Sequence, residues 1–264
     1  SAAKDGVDVG TILGGAEIGV AASADRDAVL AMDADAVVYA PLVPDAEEVA
    51  AILRSGKNVV TPVGWFYPHE RDRAVVEAAA LEAGVSLHGT GLNPGGITER
   101  FPLVVSALSA RITHVLAEEF SDIRTYGAPF VVGEIMLFGK TPEEARQSRM
   151  LAVLGGGFEQ SIDMVADALR FDLDAKKRRT HEVSVATAPI DSPIGSIEPG
   201  RVAAQRFTWE GLVRGKPVIT VRTNWFMGEE HLDPAWNFGP EGERFEVEVQ
   251  GDPGGRFPIH GWHP

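Results

Sequence analysis

The chain has 264 residues, 44% of them hydrophobic, enough to bury a sizeable core in one large domain or two modest ones. Its 24 Lys+Arg stand against 38 Asp+Glu, a formal charge of −14, so wrapping a phosphate backbone or lying on an anionic membrane is opposed by the chain's own field. Cysteine is absent, which removes disulfides, thiolate nucleophiles and thiolate metal sites, and the apolar runs fall far short of the ~20 residues needed to cross a bilayer. These features predict a cytoplasmic protein with neither nucleic acid nor membrane as partner.

Nothing before residue 35 matches a strand running into a glycine-rich phosphate loop. Residues 35–40 form a short apolar run that stops at Pro41 and reads as a buried strand. A helix follows over 45–54, with Asp45 as N-cap, Glu48 as its capping-box partner and Gly56 as the stop. Residues 58–62 read as the next strand. The spacing of Val75, Val76, Ala79 and Ala80 predicts a helix over 70–83 that ends before Gly84. A third strand over 85–88 runs into Gly89-Thr90-Gly91-Leu92-Asn93-Pro94-Gly95-Gly96. Right-handed crossovers between such strands gather the turns after Ala40, Pro62 and His88 along one sheet edge, where ligands bind in open parallel sheets.

The pattern changes after residue 96. Helical signals dominate from Val131 to Arg170 and include Thr141-Pro142-Glu143-Glu144, a capping box with proline at the first helical position. Residues 182–186, 218–222 and 245–249 each alternate apolar with polar side chains, as antiparallel strands do. The predicted class is therefore α/β: an incomplete Rossmann-like parallel sheet in residues 1–96, then a second α+β domain on a largely antiparallel sheet in 97–264. Lys176-Lys177-Arg178-Arg179 reads as a solvated turn. His260-x-x-His263 has ligand-like spacing, yet Gly261 interrupts it and no third ligand matches, so no metal is expected.

Gly89-x-Gly91 with Gly95 is a lookalike for a dinucleotide fingerprint, and Glu118 or Glu119 lies where a ribose-binding acid would be sought. Pro94 interrupts that turn, and no further strand–helix units follow residue 120. The alternative is a loop that closes over the nicotinamide end of a nucleotide bound elsewhere.

Tyr39-Ala40-Pro41, Gly56-Lys57-Asn58-Val59-Val60-Thr61, the stretch from His88 to Gly96, Thr180 to Ala188, and Trp225-Phe226-Met227-Gly228-Glu229-Glu230-His231 resemble the dihydrodipicolinate-reductase-like superfamily. Within it they are most similar to the branch of 2,4-diaminopentanoate dehydrogenase and the native amine dehydrogenases. That resemblance implies a phosphate loop upstream of Ser1 and a segment beyond Pro264 that returns to the nucleotide domain, so a chain shortened at both ends is expected. Thr61-Pro62-Val63 stands where the sugar dehydrogenases of this fold carry Glu-Lys-Pro. Glu118-Glu119-Phe120-Ser121-Asp122 stands where true dihydrodipicolinate reductases carry cationic residues for a dicarboxylate.

The resemblance implies oxidation of a small amine, or reductive amination of a ketone, with NADP as cofactor and NAD as the alternative. Glu70 is the expected catalytic carboxylate, in the family's place for the group that contacts the reacting nitrogen, with Tyr67 and His69 as proton relays. Ala40, Pro41, Leu42, Gly91, Asn93 and Pro94 are expected along the nicotinamide, because they sit on loops at the carboxyl ends of successive strands. Ser1 and Lys4 fall where a 2′-phosphate would be selected, and Trp65, Phe130 and Phe138 are candidate pocket walls, with Trp225 and Trp236 behind them. A homodimer through the outer face of the second sheet is expected. Two other readings stay open: a reductase of a carbonyl or C=C bond on the same fold, and a non-catalytic binding or assembly module.

Overall fold

The computed structural model describes residues 4–41 and 43–261, so Ser1, Leu42 and His263 lie outside the described residues. The chain opens with two short capped turns. Asp8 caps α1 (Val9–Ile12), accepting from the Gly10 amide at 2.8 Å, and also takes the Ile18 and Val20 amides at 3.0 Å; Asp25 caps α2 (Arg26–Leu30). Four backbone donors hold the Asp8 carboxyl below its ordinary pKa.

Three short strands then form one sheet in the order β1 (Ala36–Val38), β2 (Asn58–Thr61), β3 (Leu87–Gly89), and β1 pairs β2 in parallel. The crossovers are α3 (Ala46–Arg54), which buries Val49, Ala50, Ile52 and Leu53, and α4 (Glu70–Ala83), which buries Val76 and Ala79. Asp45 caps α3 through the Glu48 amide, as expected, but the capping box is only half formed. The Glu48 carboxylate instead accepts from the Tyr39 hydroxyl at 2.6 Å, while that hydroxyl accepts from the Asp45 amide. Burial, with Glu48 beside it, pushes the Tyr39 phenol up to about 12. The neutral phenol thus ties the end of β1 to the start of α3 and fixes the turn that carries Ala40 and Pro41.

The remaining elements are α5 (Arg100–Ser106), β4 (Arg111–Asp122), a 3-10 turn (Ile123–Thr125), a π-helical turn (Val131–Ile135), α6 (Pro142–Gln147), α7 (Met150–Leu169), β5 (Arg178–Ala186), β6 (Ile190–Ser192), β7 (Gly195–Ile197), β8 (Val202–Val213), β9 (Lys216–Phe226), β10 (Leu232–Asp233), β11 (Arg244–Asp252) and β12 (Gly255–Ile259). Thr141 and Glu144 form the complete capping box of α6. Seven strands build a second sheet in the order β10-β5-β8-β9-β4-β11-β12, antiparallel throughout except for the parallel pair β4–β9.

One face of this sheet is apolar: Val115, Phe207, Trp209, Ile219 and Val221 pack on Phe158, Ile162 and Val165 of α7, with Phe158 stacked on Trp209 at 4.5 Å. The opposite face carries paired polar groups. Glu118 accepts from Asn224 at 2.8 Å and Arg222 at 3.2 Å, and His114 shares a 2.9 Å hydrogen bond with Thr220. Three residues of the basic run 176–179 form ion pairs, Lys177 with Asp163, Arg178 with Glu210 and Arg179 with Glu159.

By contacts the described chain falls into two compact units: residues up to Thr61 with Glu70–His88, and Pro62–His69 with residues from Gly89 onward. The short stretch 62–69 thus belongs with the larger unit although it lies between strands of the smaller one.

His181 stacks on Phe207 at 4.2 Å and pairs with Gln205 at 3.0 Å, and burial lowers its pKa. A histidine whose folded pKa lies below its unfolded value favours the folded state above about 6.5, and this contribution is lost as pH falls through that value because the unfolded chain takes up the proton first. Chemical denaturation of His181→Gln between pH 7 and 5 is expected to show a shallower loss of stability than wild type; an unchanged slope refutes the assignment.

Candidate active site

The loop from Gly89 to Gly96 is folded on itself. A Cβ on Gly89 would overlap the Trp65–Phe66 peptide, one on Gly91 would overlap the Pro94 carbonyl, and one on Gly95 would overlap the Gly91 backbone. Gly91 and Gly95 also have φ of +141° and +123°, which L side chains rarely adopt. These glycines serve close approach of the loop to itself and to the 62–69 segment. That overturns the fingerprint reading, in which the same glycines would leave the backbone open to a pyrophosphate.

Side chains then lock the loop. The Arg100 guanidinium donates to the Gly89 carbonyl at 2.7 Å and to the Gly95 carbonyl. Glu99, fully buried, accepts with Oε2 from the Gly95 amide at 3.2 Å, from Thr98 at 2.9 Å and from Ser161 of α7 at 2.9 Å. From above, α7 presents Gly155-Gly156-Gly157, a run that costs helix stability by roughly 1 kcal/mol per glycine relative to alanine. A Cβ on Gly157 would come to 2.8 Å from Pro94 Cγ, and one on Gly155 to 3.1 Å from Trp209 Nε1, so close packing explains why two of these positions lack side chains.

The 62–69 segment is gripped by the same helix. Gln160 accepts from the Tyr67 amide at 3.3 Å. Trp65 follows Gly64 in left-handed backbone, with φ of +64°, a conformation that costs a non-glycine residue on the order of 1–3 kcal/mol. Its indole Nε1 is buried with no hydrogen-bond partner among the described residues, and the same holds for Asn93 Oδ1 and Glu99 Oε1.

Asn93 gives its Nδ2 to Glu119 of β4 at 2.6 Å. Glu119 also accepts from Ser121 at 2.8 Å and from the Trp225 indole, while burial pushes its carboxyl above the ordinary range against these donors. Alternation along β4 sends Glu118 to the other face, onto Arg222 and Asn224. Neither acid is thus the free ribose ligand that the fingerprint reading required.

Among the sequence-predicted residues, Trp65, Tyr67, His69, Gly91, Asn93 and Pro94 fall in the larger unit. Trp65 and Gly91 meet through the loop's contacts with the 62–69 segment, and Asn93 and Pro94 are fixed by Glu119 and Gly157. Ala40, Pro41 and Glu70 fall in the smaller unit, Glu70 as the exposed first residue of α4. Lys4 is exposed. Phe130 is 70% exposed, whereas Phe138 is 1% exposed inside a core cluster with Met136, Ile190 and Ile197. Trp236 is partly buried, with Arg206 over its ring at 4.6 Å. Sequence reasoning missed Glu99, Arg100, Gln160 and Ser161 as builders of the site; the available signal was a pair of charged residues three and four positions after Gly96.

A three-stranded sheet with helical crossovers, joined to a large mixed sheet that carries a helix on one face, is the architecture of Rossmann-like dehydrogenases. The same fold occurs in the amine dehydrogenase of Mycobacterium smegmatis, which matches with a TM-score of 0.73 over 98% of this chain and 76% of its own, at 21% identity. Residues 97–226 match the family profile of the 2,4-diaminopentanoate dehydrogenase C-terminal domain. An amine dehydrogenase of Streptomyces virginiae is 30% identical over 255 residues, covering 89% of this chain and 69% of that protein. The 2,4-diaminopentanoate dehydrogenase of Acetoanaerobium sticklandii is 31% identical over 143 residues, 53% of this chain and 40% of that protein. The chain belongs to this amine dehydrogenase family of oxidoreductases.

Gly91→Ala places a side chain in forbidden backbone space against the Pro94 carbonyl. The expected cost is on the order of 2–3 kcal/mol, and at roughly 2–4 °C per kcal/mol for a domain of this size it lowers Tm by roughly 4–12 °C in a calorimetric scan. A Tm within 1–2 °C (roughly) of wild type counts against the locked loop.

Proposed function

We propose that the protein oxidises a small amine to an imine, and in reverse reductively aminates a ketone, using NADP or NAD in the cytoplasm. The carrying observation is electrostatic. Glu99 and Glu119 accept hydrogen bonds from the loop, and the Arg100 guanidinium donates to two loop carbonyls, so none of the three holds a guanidinium fork open for an anionic carboxylate. Such surroundings favour a cationic or neutral nitrogen substrate over an anionic carboxylate. Family membership points to the same chemistry, since the matched relatives carry the names amine dehydrogenase and 2,4-diaminopentanoate dehydrogenase.

The loop fits the amide end of a nicotinamide: a buried, unpartnered acceptor on Asn93 and a buried, unpartnered donor on Trp65 are the two polarities that a carboxamide completes. Gly91, Asn93 and Pro94 are the residues of the larger unit that would hold it. When bound, nicotinamide accepts the hydride from the carbon that bears the nitrogen. Glu70 holds the ammonium and then offsets the positive charge of the iminium that forms. Tyr67 and His69 carry the proton that the ammonium must lose before its carbon can yield a hydride. Trp65 supplies an apolar wall and Phe130 a second, while Phe138 supports them from the core. Lys4, with Ser1, favours the 2′-phosphate of NADP. The outer face of the second sheet is the proposed homodimer surface.

In the full-length protein, Glu70→Gln is expected to keep the wild-type Tm and lower kcat/KM for amines by roughly 10²–10³-fold, the scale of a lost catalytic group. Equal activity of this variant sinks the assignment of Glu70, and turnover of ketones without ammonia in place of amines sinks the amine reading. Lys4→Glu is expected to shift preference from NADP toward NAD, read as the ratio of the two kcat/KM values; an unchanged ratio excludes Lys4 from cofactor selection.

A further inference from the structure

Three neutral donors converge on the Glu119 carboxylate: Asn93 Nδ2 at 2.6 Å on Oε2, Ser121 Oγ at 2.8 Å on Oε1, and the Trp225 indole. With both of its oxygens accepting, Glu119 faces the Asn93 amino group, and the Asn93 carbonyl oxygen points away. Ordinarily an asparagine amide can flip between two nearly isosteric orientations. Here the flip would set Oδ1 against the Glu119 oxygen that now accepts from Nδ2, exchanging a 2.6 Å hydrogen bond for an acceptor–acceptor contact. Rotation of the whole side chain is restrained from the other end, because the backbone beside it is pinned by Pro94 on Gly157 and by Glu99 and Arg100 on Gly95.

The result is an acceptor of fixed identity and direction. Asn93 Oδ1 is buried and lacks a partner among the described residues, an unfavourable state for a polar atom. Folding leaves this cost unrelieved, whereas a ligand that brings an N–H removes it. A ligand that brings a carbonyl oxygen to the same place adds a second acceptor and is repelled.

We propose that Glu119 is a positioning residue that holds Asn93 Oδ1 as the acceptor for an N–H group of the reacting pair. Two sources share that chemistry: the nitrogen of the amine substrate and the carboxamide amino group of nicotinamide. The inference rests on the amine-oxidation reading above and adds to it a means of choosing N–H over C=O ligands. It also gives the adjacent acids opposite tasks: Glu118 joins the sheet's polar face, and Glu119 sets the polarity of the loop.

The test uses the full-length protein as wild type, Asn93→Ala, Glu119→Gln and Glu119→Asp. Thermal stability, KM and kcat for an amine, and fluorescence-titrated binding of NADP are measured together with binding of its 3-acetylpyridine analogue, in which a methyl group replaces the carboxamide amino group. Loss of one hydrogen bond to an N–H predicts about a tenfold weakening for one ligand only in Asn93→Ala. Glu119→Gln, which can turn its own amide either way, weakens the same ligand by a smaller factor, with kcat within about threefold of wild type. If the amine is the source, its KM rises and the preference for NADP over the analogue stays constant. With the carboxamide as source, wild type binds the analogue about tenfold more weakly than NADP, and both variants lose that preference.

Variants that lose Tm yet keep both affinities and the analogue ratio reduce Glu119 to a structural role and overturn the inference. A wild type that binds NADP but oxidises no amine defeats the functional reading instead, and the analogue titration, which needs no turnover, still decides between positioning and packing. Should the Gln variant fail to fold, Glu119→Asp and Asn93→Ala carry the same comparison.

Discussion

A carboxyl group with no exposure to solvent, that of Glu99, holds the larger unit's 89–96 loop in place, and most of the local sequence follows from keeping it there. Burying an ionisable group without donors is prohibitive, so its Oε2 is met by the Gly95 amide, Thr98 and Ser161. Those donors come from the loop, from the turn after it and from α7, and the one atom therefore joins three segments. Ser161 has to face the loop, which fixes the rotation of α7, and the same rotation brings Gly157 against Pro94 and Gln160 against the Tyr67 amide. Glycine at 157 and at 91 is then required by contact distance, independently of any nucleotide.

This arrangement clarifies why a glycine-rich turn need not bind phosphate. In a phosphate loop, missing side chains expose backbone amides to a ligand. Between residues 89 and 96 four carbonyls and one amide are engaged internally: Ile97 donates to Leu92, Phe101 to Gly96, Arg100 to the carbonyls of Gly89 and Gly95, and the Gly95 amide to Glu99. The side-chain atoms left buried without a partner beside the loop are Trp65 Nε1, Asn93 Oδ1 and Glu99 Oε1, among the described residues.

Legibility differed between the two units for a physical reason. In the smaller one, the strand–helix alternation, the Asp45 cap and the apolar face of α4 could be read from local patterns, because each element is specified by its own residues. The three alternating segments of the larger sheet were legible in the same way and lie within β5, β9 and β11. Strand β8 was not, because Val202-Ala203-Ala204-Gln205 is buried on both faces and shows no alternation. The parallel pairing of β4 with β9 depends on contacts across more than 100 positions, and no local pattern encodes it. The capping box at Glu48 failed for a related cause: Tyr39, nine residues away, competes for the carboxylate.

The site followed the same rule. Gly91, Asn93 and Pro94 announce a turn, and the turn is present; the partners that give it chemistry lie on α7 and β4 and could not be found by spacing. Residues 118 and 119 show the limit most clearly. As neighbours in sequence they look interchangeable, and a ribose-binding acid could be sought in either. Placed on a strand they must face opposite ways, one into a network with Arg222 and Asn224, the other onto Asn93. Their different environments, a guanidinium on one face and only neutral donors on the other, are created entirely by pairing with distant strands. It follows that the way Asn93 is turned depends on a residue of the strand, Glu119, and not on the loop's own sequence.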